Sequence, residues 1–125
     1  MPAQTLAGAI VADAVTGGSA YARFDATHAH IGVGNGTTAQ AGAQTDLQGA
    51  SKLRKPMDSG YPTVTDNTAA FASTFGTGDA NWAWNEWGVF NALSAGQMLN
   101  RKQEAIGTKT STAVWQIAVT LTFNY

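Results

Sequence analysis

Residues 113–125 read AVWQIAVTLTFNY, and no other stretch constrains the chain as tightly. Trp115, Ile117, Val119, Leu121, Phe123 and Tyr125 alternate with Gln116, Ala118, Thr120, Thr122 and Asn124. A period of two marks a strand with one buried face. A slip of one residue would turn every bulky side chain to water, so the register is strongly specified. The segment is longer than the usual strand of about five or six residues. It therefore calls for a wide sheet or a second subunit to cover it.

The preceding segments carry the same signature in shorter form. Residues 81–91 (NWAWNEWGVFN) read as a central strand, with Trp82 and Trp84 on one face and Trp87 and Val89 on the other. Residues 93–96 are a hairpin loop, and 97–104 are the return strand. Residues 68–75 alternate, with Phe71, Ser73 and Phe75 together. Pro62 makes 61–65 an edge strand, because proline cannot donate to a ladder, and Asp66-Asn67 follows as a turn. Residues 28–33 form a short strand that runs into the Gly34-Asn-Gly36 turn. Residues 39–50 read as a loop with one helical turn capped by Thr45 or Asp46.

The beginning of the chain is different. Leu6, Ile10 and Ala14 permit a weak helix, whereas Gly8 and the β-branched Ile10, Val11 and Val15 oppose it. An extended arm that docks on a neighbouring subunit fits equally well, and Gly17-Gly18-Ser19 ends it. The expected architecture is mainly β: an antiparallel β-sandwich or partly open barrel over 28–125. An extended or weakly helical N-terminal arm over 1–27 precedes it.

Composition narrows the function. A chain of 125 residues fits one domain. Charged residues are 12% of the chain, against about 25% in an average soluble domain. A neutral polar surface is cheap to desolvate, which predicts extensive subunit contacts. The net charge of -1 suggests neither nucleic acid nor an anionic membrane as partner. No apolar run approaches the roughly 18 residues of a membrane helix. The apolar stretch 6–12 lacks a basic region before it and is not read as a signal peptide. Cysteine is absent, which removes disulfides and thiolate metal sites.

Candidate chemistry is sparse. Gly32-Val-Gly-Asn-Gly36 lacks the ending of a phosphate loop and reads as a tight turn. His28 and His30 would share a strand face, with Asp25 as the nearest carboxylate, but three groups are too few to specify a metal site. They read as surface or interfacial histidines, whose protonation below about pH 6.5 would make assembly pH-sensitive. No catalytic triad, nucleophile elbow or paired carboxylate is evident, so no enzyme and no cofactor are expected. Lys52-Leu-Arg-Lys55 reads as a solvated basic loop. Trp82, Trp84, Trp87 and Trp115 fit a core or a subunit interface, with sugar stacking as the alternative. Glu86 sits between Trp84 and Trp87, and a hairpin turning near 94–95 brings it to Arg101. A partly buried Glu86–Arg101 pair is the expectation.

The order of several short elements resembles a known family. It runs Ile31-Gly-Val-Gly-Asn-Gly-Thr-Thr-Ala39, Thr45-Asp-Leu47, Glu86-Trp-Gly-Val-Phe90, Gly96-Gln-Met-Leu-Asn-Arg101 and Gly107-Thr-Lys109. The final alternating strand follows. Over residues 28–125 this set is similar to small virion proteins of tailed bacteriophages, described as tail-fibre-like, minor tail or head-associated. The resemblance implies a structural role in the virion, after assembly in the host cytoplasm, without catalysis. With no fibre shaft after Tyr125, it favours a capsid decoration or cement protein. Such a protein would bind the major capsid protein as a trimer or other homo-oligomer. The alternative is a minor tail, tail-fibre or baseplate protein that binds glycans through exposed Trp.

Overall fold

The computed structural model describes residues 22–122, and they form two antiparallel sheets without a helix. In chain order the strands are β1 (His30–Gly34), β2 (Lys52–Pro56), β3 (Thr63–Thr65), β4 (Thr68–Phe75), β5 (Ala83–Phe90), β6 (Met98–Thr108) and β7 (Trp115–Thr122). One sheet has the order β2-β1-β5-β6, and the other β3-β4-β7. The packed pair is a β-sandwich, as the alternating pattern predicts. Residues 1–21 and 123–125 lie outside the described residues. Most of the expected arm, and Phe123 and Tyr125 with it, therefore carry no structural statement. Packing against the sandwich already includes Phe24, within the segment assigned to the arm.

Hydrophobic alternation selects the core. Ile31, Phe71, Val89, Leu99 and Val119 form one cluster with contributions from both sheets, flanked by Ile117 and Leu121. Val33, Phe75, Ala80 and Trp84 form a second, flanked by Trp82, Trp87 and Trp115. Trp84 is its centre, meeting the Phe75 ring at 4.9 Å and the Trp115 ring at 5.0 Å, both edge-on. Edge-to-face contact aligns the positive rim of one ring with the negative face of the next. Trp115, Ile117, Val119 and Leu121 all turn inward, as their period of two demands.

Three local expectations are corrected. Trp84 and Trp87 do not occupy opposite faces, since both pack on the Val33–Phe75 cluster. The β5–β6 ladder shifts register between Trp84 and Glu86. Such an irregularity re-aims side chains that simple alternation would separate. Lys52 to Lys55 is not a loop but most of β2, paired along its length with β1. Its cations reach carboxylates: Lys52 and Arg54 meet Asp46, and Lys55 meets Asp79. Residues 39–50 contain no helical turn; Asp46 Oδ1 accepts the N–H of Leu47, the next residue.

Candidate functional site

The outer face of the four-stranded sheet holds the densest polar arrangement among the described residues. Gly32 and Gly34 on β1 and Gly88 on β5 leave it without side chains, and Glu86, Phe90, Leu47 and Arg54 fill the space. Glu86 is closed off from water. Its Oε1 accepts from Arg101 Nε at 2.8 Å and from the Gln48 N–H at 2.7 Å. Its Oε2 accepts from the N–H groups of Gly36 at 2.9 Å and Gly49 at 2.7 Å. Four donors thus converge on one carboxylate. Burial alone would push its pKa up, but the donors outweigh it and hold the group below its ordinary value. The expected Glu86–Arg101 pair is present, and it is buried more deeply than expected.

Arg101 extends the arrangement. It also donates to the Thr38 carbonyl at 2.9 Å and to Gln44 Oε1 at 3.0 Å. Together the two side chains clasp the 36–49 loop onto the sheet. Leu47 inserts beneath this loop against Phe90 and Met98. Arg54 lies 3.7 Å from the centre of the Phe90 ring and donates to the carbonyls of Ala92 and Ala95. Glu86, Arg101 and Arg54 therefore each bond the backbone of a loop.

The glycines are the complement of this clasp. A Cβ on Gly36 would sit 2.6 Å from Glu86 Oε2 and 2.6 Å from the Gly49 nitrogen. A Cβ on Gly34 would overlap the same carboxylate. The Gly-x-Gly run is thus a cavity shaped for a glutamate from the neighbouring strand, not a phosphate cradle. The sequence located Glu86 and Arg101 but missed Gly36, Gln48 and Gly49. The closely spaced glycines were their one visible signal.

A second buried charge was also missed. Lys109 is 1% exposed and donates to the Gly76 carbonyl and, at 2.9 Å, to Asn81 Oδ1. It closes the 76–82 turn as Arg101 closes the 36–49 loop. His28 and His30 do not share a strand face: His28 precedes β1 in a turn, its Nδ1 2.7 Å from Asp25 Oδ1. His30 is buried, with Nδ1 2.8 Å from the His28 carbonyl oxygen, so it is not a surface residue.

The tryptophans divide by exposure. Trp84 is 1% exposed and offers no ring to a ligand. Trp82, Trp87 and Trp115 are half-buried. Trp87 and Trp115 line an open groove of about 640 Å3 between β6 and β7. Comparison with known proteins returned no matching family model, curated protein or solved structure.

Proposed function

We propose that the chain is a non-enzymatic structural subunit of a tailed-bacteriophage particle, working as a capsid decoration or cement protein that binds the head lattice as a homo-oligomer. One observation carries the structural part of this reading. The buried charged side chains Glu86, Arg101 and Lys109 are bonded to loop backbone or to each other. Catalysis needs titratable groups aimed into a cleft where a substrate can reach them. Here the corresponding groups are spent on fixing loops, which is what a rigid building block needs.

The phage part rests on the resemblance, and the fold gives its elements a common purpose. Gly34 and Gly36 make room for Glu86. Leu47 packs beneath the loop that Glu86 holds, and Arg101 completes the clasp. The exterior supports assembly: Val64, Leu93, Ile106 and Val114 are exposed apolar residues on a charge-poor surface. Repeated weak contacts between many copies become strong through multivalency.

Quantitative mass spectrometry of purified particles tests the reading. Copies in the hundreds support a head coat. Three, six or twelve copies move the chain to the tail. Absence from the particle overturns the proposal. The half-buried Trp87 and Trp115 favour a glycan-binding tail protein as the second reading, which saccharide-dependent tryptophan fluorescence would support.

A further inference from the structure

A sheet ends in strands whose outer backbone groups have no ladder partner, and proteins protect such edges with charge, proline, brevity or a covering loop. Among the described residues the two sheets have four edges, and three are protected. β2 carries Lys52, Arg54 and Lys55 and closes at Pro56. β3 has three residues. β6 carries Arg101, Lys102 and Glu104, and its Gln103 N–H donates to Gln40 Oε1 of the 36–49 loop at 3.0 Å. β7 is different. Its eight residues, WQIAVTLT, include no charge and no proline, and its ladder to β4 runs without a register shift.

An open groove follows this edge, lined by residues 114–120 in unbroken succession. Residues of both faces line it, so it runs along the strand rather than over one side. Trp115, Ile117 and Leu121 point inward yet remain half-buried, whereas Phe71 and Phe75 on the neighbouring β4 are 3% and 0% exposed. Among the described residues, what the β7 side chains lack is a neighbour on the side away from β4.

We infer that β7 pairs antiparallel with β7 of a second copy, joining two three-stranded sheets into one of six strands. The sequence of the strand selects that occupant. With the two-fold axis at Ala118, Ile117 faces Val119 of the second copy and Trp115 faces Leu121 on the inner side. Gln116 faces Thr120 on the outer side, and Ala118 meets itself. Apolar thus meets apolar, and neutral polar meets neutral polar. A charge at the centre of the strand would oppose itself across the axis. This strand has none, so neither repulsion nor desolvation of an ion opposes the contact. The pairing is isologous and closes at two copies, because each covers the other's β7 edge. It names the contact behind the homo-oligomer proposed above and rests on that reading for self-association.

Cysteine is absent from the chain, so one introduced thiol reports this contact alone. Opposed residues of an antiparallel pair lie about 4.5–5.5 Å apart between Cα atoms, within disulfide reach. Under mild oxidation Ala118→Cys should form a covalent dimer about tenfold faster than Thr65→Cys, an exposed site on β3, because pairing raises the effective thiol concentration. Sedimentation of the full chain should show a monomer–dimer equilibrium. Ala118→Lys should weaken it about tenfold or more, since two ammonium groups then face each other across the axis. Ala118→Ser, which keeps the strand neutral, should leave it in place. Self-association that Ala118→Lys leaves unchanged, with equal cross-linking at 118 and 65, overturns the inference and moves the homo-oligomer contact to another surface. A chain that is monomeric at every concentration overturns it too. Saccharide-dependent tryptophan fluorescence would then give the groove to a glycan, and copy number in the particle would judge the structural reading by itself.

Discussion

Arg101 Nε donates to Glu86 Oε1 at 2.8 Å, and the two side chains are 2% and 0% exposed. A buried ion pair is weak evidence of net stabilisation, because removing two charges from water costs about as much as their attraction returns. This carboxylate differs in also accepting three backbone N–H groups from the 36–49 loop. Its place in the fold comes from holding that loop, and the arginine is one of four donors.

Glu86→Gln turns one carboxylate oxygen into an N–H2 group. Whichever way the amide faces, two of the four donors then meet another donor. The expected loss is about 3–5 kcal/mol, the range for breaking a buried pair. Arg101→Met removes one of the four donors, and leaves Thr38 O and Gln44 Oε1 at the loop surface, where water can replace it. It should therefore cost less than Glu86→Gln. Chemical denaturation of both variants checks the order, and equal losses would count against a clasp centred on Glu86.

The glycines make a separate prediction. Gly36→Ala places a Cβ 2.6 Å from both Glu86 Oε2 and the Gly49 nitrogen. Backbone or carboxylate must shift, at a cost of about 1–3 kcal/mol or more. Gly78→Ala meets nothing within 4 Å and should stay within about 0.5 kcal/mol of wild type. Thermal melts of the two variants compare a filled cavity with an open turn.

The carboxylate also sets a pH dependence. The folded-state pKa of Glu86 lies below its ordinary value of 4.5. A depressed carboxylate contributes stability that is fully present above the unfolded value and lost as pH falls through the folded one. Wild-type stability should therefore decline below about pH 4.5, and the decline should be shallower in Glu86→Gln. Asp46, also lowered, adds to the same acid limb: burial opposes its ionisation, but bonds from Lys52 and the Leu47 N–H outweigh that. Urea midpoints from pH 7 to pH 3 would reveal it, and parallel profiles for wild type and Glu86→Gln would contradict it.

Periodicity made the sheets legible before the structure did. Residues 68–75 and 115–122 carry clean alternation, and they fold as β4 and β7 with the large residues inward. β2 was missed because Lys52, Arg54 and Lys55 read as charge, whereas their partners Asp46 and Asp79 lie in loops that the pattern cannot pair. The faces of β5 were misassigned because a register shift depends on β6 and leaves no mark in β5 alone. Of the clasp, Glu86 and Arg101 were readable since a hairpin fixes their proximity. The backbone donors were not, because any residue can offer an N–H.

Lys109 gives the final prediction, because it repeats the logic of the clasp just before the start of β5. Its ammonium is buried and donates to Gly76 O and Asn81 Oδ1, while its own N–H donates to the Trp82 carbonyl. Lys109→Met keeps the backbone bond and the aliphatic stem but takes the ammonium from Asn81 Oδ1 and leaves Gly76 O with the Asp79 N–H alone. A hydrogen bond to a charged group contributes about 1.5–3 kcal/mol, so the variant should lose stability in that range. The loss should be local as well as global. Amides of Asp79 and Trp82, which bond to Gly76 O and Ala80 O within this turn, should exchange faster than those of β1. Uniform acceleration across both sheets would mean that Lys109 supports the sandwich as a whole and not the 76–82 turn.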